Sequence, residues 1–181
     1  MIGRQIAQDD SHFEQPARRF ALPELIHGAE AKSGYVLNPE DPGLLRSLDK
    51  ASASTASSLP PGGTSSIAAH VDHVRYGIEL LNRWASGENP FDTADYSASW
   101  RRTTVSDEEW SSLRADLHRE VSAWLDVLQH PARAARGFST ADVHLNDIEI
   151  TGIVASVVHL AYHLGAIRQI DAATRGPRAK D

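Results

Sequence analysis

Two histidines four residues apart, His159 and His163, stand in a long uncharged, apolar stretch late in the chain. From Ile150 to Ile167 the sequence reads ITGIVASVVHLAYHLGAI, without Asp, Glu, Lys or Arg. On a helix, positions i and i+4 share a face, so two imidazoles at this spacing can close on a single metal ion. A helix without charge is expected to be buried on most sides. A buried imidazole without a partner costs on the order of 1–3 kcal/mol. The pair is therefore satisfied either by separate hydrogen bonds in the core or by one shared ligand. Leu160 stands where a zincin H-E-x-x-H motif has glutamate, which speaks against a metalloprotease.

A third ligand has to come from a facing helix, and IAAHVDHV offers His70 and His73. On a wheel of about 100° per residue, the apolar arc of that segment takes in Ile67, Val71, Val74, Ile78, Leu81 and Trp84. His70 falls near the centre of the arc, and His73 falls inside it towards Leu80 and Trp84. Both point inward, and the pattern alone mildly prefers His70. Three histidines on one ion leave coordination positions open, as in reactive rather than closed structural sites.

The chain has nine histidines, so most must have other roles. His12 and His27 lie in weakly patterned segments, His118 beside Arg119 and Glu120, His130 at a helix end and His144 in a loop. These read as structural or surface residues. Cysteine is absent, which removes disulfides, thiolate ligands and a cysteine nucleophile together.

The elements that must carry the histidines are helical. Thr64, Ser65 or Ser66 can cap a helix to about Trp84 whose apolar positions repeat as 4-3-4-3-4, with Asp72, Arg75, Glu79, Asn82 and Arg83 on the other side. Ser106 and Glu109 form a capping box, with Val105 and Trp110 as a hydrophobic staple. That helix carries Trp110, Leu113, Leu117, Val121, Trp124 and Leu128 inward and stops at Pro131. The last helix opens with Asn146 and Glu149, with Leu145 and Ile150 as staple, and runs to about Thr174 before Gly176-Pro177.

Upstream, Ala17 to Ala31 is helical in pattern, or Pro23 begins a shorter helix. Asp41-Pro42 reads as an N-cap with proline at the first helical position, opening a short helix through Leu44, Leu45 and Leu48. SASTASSLPPGG reads as a small-residue connection. GENPFDTADYSASWRR is a long loop carrying Phe91, Tyr96 and Trp100, large groups that could wall a pocket. No convincing period-two segment occurs. The expectation is an all-α protein: a four-helix bundle with an extra short N-terminal helical segment. Residues 1–15 read as a loose leader, 16–176 as one domain and 177–181 as a tail.

With 181 residues, 41% hydrophobic and 23% charged, the chain suits a single soluble domain with a sizeable core. A net charge of −6 with scattered arginines speaks against nucleic acid or an anionic membrane as partner. The N-terminus has no signal-like apolar run and the 150–167 stretch is short for a span, so a cytoplasmic protein is expected.

SIAAHVDHV on an early helix, with HLAYHLGAIRQ late in the chain, resembles the DinB-like superfamily of metal-binding four-helix bundles. The resemblance covers roughly Leu44 to Ile170. It includes the PPGGTSSI approach to the earlier helix and Gly165, Ile167, Arg168 and Gln169 after the second histidine. It implies His73, His159 and His163 as ligands, against the wheel's preference, with His70 beside the site and Asp72 unassigned. It further implies an up-down-down-up bundle, a homodimer, and a divalent ion, zinc or nickel foremost and iron or manganese as alternatives, with water in the open positions. Characterised members of that superfamily include thiol-dependent S-transferases and isomerases that use a low-molecular-weight thiol. The expectation for this chain is a metal-dependent enzyme acting on a small molecule. The alternative is a non-catalytic bundle whose metal or ligand only stabilises it. No residue reads as a general base, and no motif selects a thiol.

Overall fold

The computed structural model describes residues 21–30, 34–130 and 147–174. Among these residues the chain is helical and forms no strand; Gly28 and Pro42 meet in an isolated antiparallel bridge. The elements are α1 (Leu22–His27), α2 (Leu44–Leu48), α3 (Ala53–Ala56), α4 (Ile67–Ala85), α5 (Tyr96–Ser99), α6 (Asp107–Gln129) and α7 (Asp147–Ile170), with 3₁₀ turns at Phe91–Thr93 and Ala172–Thr174. The leader at 1–15, the tail at 177–181, His12, His144 and the Asn146/Glu149 and Leu145/Ile150 pairings lie outside what is described.

α4 and α6 start and stop where their punctuation dictates, whereas α7, expected to run to about Thr174, ends at Ile170 and is followed by the 3₁₀ turn at Ala172–Thr174. Ser66 Oγ accepts from the Ala69 amide at 3.3 Å and opens α4. At α6 both halves of the capping box are made: the Glu109 amide donates to Ser106 Oγ at 3.2 Å and the Ser106 amide to the Glu109 carboxylate at 2.8 Å. That helix ends at Gln129, directly before His130-Pro131. The core forms where α4 lies along α6, through Val71, Val74 and Ile78 on one and Leu113, Leu117, Val121 and Trp124 on the other. Each such side chain contributes roughly 1.5–3 kcal/mol by leaving water. Leu160, Leu164 and Ile167 bring α7 into the same core. The Trp110 indole donates to the Ala51 carbonyl at 2.7 Å.

Upstream of Ser66 the described chain is three short helices. Pro23 lies in the first turn of α1; residues 17–20, which only the longer reading includes, lie outside what is described. Buried Glu24 gathers the amides of Tyr35, Val36 and Leu37. The cap expected at Asp41 is corrected: Gly43 holds the N-cap position of α2 without a side-chain bond. Asp41 instead faces Arg168 of α7 at 3.4 Å, while Arg168 also donates to the Pro42 carbonyl at 2.7 Å. Here two backbones touch. A Cβ at Gly43 would stand 2.4 Å from the Gly28 amide nitrogen, and one at Gly28, whose φ is 114°, 2.7 Å from the Asp41 carbonyl.

Three further expectations change. The connection before α4 holds a helical turn, α3, capped by Ser52. The long aromatic loop holds α5, capped by Asp95, whose carboxylate accepts from Ala98 at 3.1 Å. The uncharged last helix is not buried on most sides: Val154, Val158 and Tyr162 are 51%, 60% and 68% exposed. Absence of charge marked the helix as apolar without marking which side is covered. No described helix is long and apolar enough to cross a membrane.

Candidate metal centre

α4 and α7 meet with their histidines face to face. His73 lies about two turns inside the capped start of α4, and His159 and His163 occupy successive turns of α7. His73 and His163 are 8% and 1% exposed, and His159 is half-buried. The three Nε2 atoms converge: His73 to His159 at 3.1 Å and His159 to His163 at 2.9 Å. Ligand nitrogens of all three residues lie within 4.8 Å of one another. Two imidazoles bound to one ion at about 2.1 Å would hold their nitrogens about 3.0–3.4 Å apart, for angles between a right angle and the tetrahedral one. The observed separations, 3.1 and 2.9 Å, lie at and just below the short end of that range.

Proton accounting shows that this cluster suits a cation. Ser99 Oγ donates to the Tyr96 carbonyl at 2.7 Å, so at 2.9 Å from His73 Nδ1 it accepts the Nδ1 proton. His73 Nε2 then carries a lone pair turned towards His159. His163 Nδ1 meets His70 Nδ1 at 2.9 Å. With His163 as donor there, its Nε2 also presents a lone pair. A single proton on His159 Nε2 cannot serve both neighbours well. One cation accepts all three lone pairs at once. The three close histidines can therefore hold a metal ion.

Burial and mutual repulsion keep the rings neutral, each with one nitrogen unprotonated. Burial, then the neighbouring histidines, lowers His73 to about 4, although Asp72 pulls the other way. The same causes, burial first, lower His163 to about 3. Burial also lowers His70 and His159. Neutral imidazole is the form that binds metal.

Tryptophan and tyrosine side chains surround the cluster. Trp100 stacks on His73 with ring centres 4.4 Å apart and planes 26° from parallel, and meets His70 edge-on at 5.2 Å. Tyr96 lies 6.3 Å from His73, and Tyr162 stands edge-on to His163 at 5.1 Å. Phe91, Tyr96 and Tyr162 are all exposed on their outer sides. The segment bearing Tyr96 and Trp100 is fastened to α4. The Asp95 amide donates to Tyr76 Oη at 3.1 Å, Arg102 pairs with Asp72 at 3.1 Å, and Ser66 Oγ donates to the Thr103 carbonyl at 2.7 Å.

Of the two inward histidines on α4, the structure brings His73 to His159 and His163 and places His70 behind His163. Asp72, expected on the solvated side, is buried and held by Arg75 at 3.0 Å as well as by Arg102. That pairing leaves it poorly placed as a proton acceptor. His27, His118 and His130 are exposed and away from the cluster. Ser99 is the participant that sequence reasoning missed. In YSASW nothing distinguishes it from Ser97; only the Asp95 cap, legible as D-x-x-A, hints at a helical turn there.

Compared with known protein families, curated proteins and solved structures, the chain matches none.

Proposed function

We propose that this chain is a DinB-like metal-binding four-helix bundle that uses a divalent ion, zinc or nickel foremost, to act on a small molecule. The observation that carries the reading is the convergence of the His73, His159 and His163 Nε2 atoms from two helices. Three neutral ligands would leave coordination positions for an exogenous group. With a divalent ion held by His73, His159 and His163, a bound thiol or water would have a lowered pKa, so that a nucleophile would exist near neutral pH. The chain's own part is to hold the rings neutral and aligned. The reaction proposed is transfer of a low-molecular-weight thiol to an electrophilic small molecule: the thiol gives up its proton, its sulfur bonds to the electrophilic carbon, and a leaving group departs with the electron pair of its former bond to that carbon.

Asp72 favours a second reading. The acid adjacent to His73 is already neutralised by two arginines, and a bundle with a purely structural metal needs no base. Zinc- and nickel-loaded protein, assayed with several thiols and electrophiles, separates the two. Metal-dependent conjugation supports the enzyme. A large fall in melting temperature on chelation, without conjugation by any loaded form, supports the structural metal. The up-down-down-up order and a homodimer belong to the same proposal. The exposed Val154, Val158 and Tyr162 side chains would suit contact with a second copy, and light scattering on the same preparation reads the mass.

A further inference from the structure

From the Ser99 contacts we infer that Ser99 is a positioning residue for the metal centre: its hydroxyl fixes which nitrogen of His73 carries the proton. The inference rests on the proposed metal site and deepens it. Ser99 is 5% exposed, and its hydroxyl has two polar contacts, Tyr96 O at 2.7 Å and His73 Nδ1 at 2.9 Å. Because the carbonyl can only accept, the hydroxyl proton points there, and the oxygen is left to accept from His73. The ring is thereby held as the Nδ1–H tautomer with Nε2 free towards His159, the arrangement that outer partners of metal-binding histidines impose.

The geometry around Ser99 is built for this. Asp95 caps the single turn of α5 through the Ala98 amide, and α5 delivers Ser99 to the ring edge. The next residue, Trp100, covers the ring face at 4.4 Å. One dipeptide thus fixes both the rotation and the protonation of His73. The fastenings of this segment to Tyr76, Asp72 and Ser66 hold it in place. Ser97, two residues earlier, gives an internal control: its hydroxyl bonds Asp95 at 2.5 Å and it is exposed.

The test uses the full chain, with zinc competed against a chromophoric chelator, and ¹⁵N NMR of histidine in the metal-free protein. Ser99→Ala is expected to weaken zinc binding by about 10–100-fold, as loss of an outer partner does elsewhere, while Ser97→Ala leaves it unchanged. In the metal-free wild type, His73 shows the Nδ1–H tautomer, and in Ser99→Ala that preference is lost. Equal zinc affinity in Ser99→Ala and wild type overturns the inference, as does equal weakening by Ser97→Ala. An Nε2–H tautomer of His73 in the wild type overturns it as well. Should Ser99→Ala fail to fold, the wild-type spectrum still decides. Should the wild type bind no zinc, the proposed function fails, while the tautomer measurement still decides the role of Ser99.

Discussion

At the scale of residues, the four buried or half-buried histidines are held in their neutral form by their surroundings. The unfolded chain has no such burial, so its histidines titrate near 6.5. His73, at about 4, and His163, at about 3, have folded values below the unfolded one. The unfolded state therefore binds more protons, and stability falls as pH falls. The contribution is fully present above about 6.5 and is lost on the way down through 4 and 3. Each such histidine costs at most about 1.4 kcal/mol per pH unit within that window. Chemical denaturation of chelator-treated protein between pH 7.5 and 5 should show the decline. A curve that is flat or rising towards pH 5 would show that the rings are not held neutral. His159 and His163 were legible from spacing alone. The assignment between His70 and His73 was not, because both lie in the apolar arc and both are buried. What separates them is rotation about α4 by less than the arc's width, set by where α7 crosses, and a wheel has no information on crossing.

At the scale of elements, punctuation was the most legible feature. Ser66 and Ser106 cap as their local sequence says, because a cap depends on residues within one turn. Removing the α6 box through Ser106→Ala should cost about 1 kcal/mol, within the usual 0.5–2 kcal/mol for such caps. Thermal unfolding measures this, and no change would mean that the box adds nothing in this context. The failures came where tertiary contacts decide. Asp41 reads as a cap by its proline neighbour, yet its carboxylate lies by Arg168, distant in sequence. The turn at Tyr96–Ser99 falls in a stretch whose composition reads as loop, and its position depends on Tyr76, Asp72 and Ser66 of another element. The exposed side of α7 was illegible for a simpler reason: an all-apolar helix has no polar stripe to mark its outer face.

At the scale of the molecule, all-α architecture followed from the amphipathic stripes of α4 and α6 and the absence of period-two segments. α4 and α6 together make most of the core, and α7 closes on it through Leu160, Leu164 and Ile167 while carrying two of the three converging histidines. The same packing that buries those leucines brings His159 and His163 to His73, so core and centre are not separable. Loading and emptying the centre is expected to shift the stability of the whole domain rather than of one loop, since a metal that binds the folded state alone stabilises it by linkage. The account rests on one ion shared by three rings. Elemental analysis of the purified wild type beside His163→Ala, His73→Ala and His70→Ala tests this most directly. The account predicts near-stoichiometric divalent metal in the wild type and in His70→Ala, and its loss in His163→Ala and His73→Ala. A wild type without bound metal, or metal retained in His73→Ala and lost in His70→Ala, would contradict it.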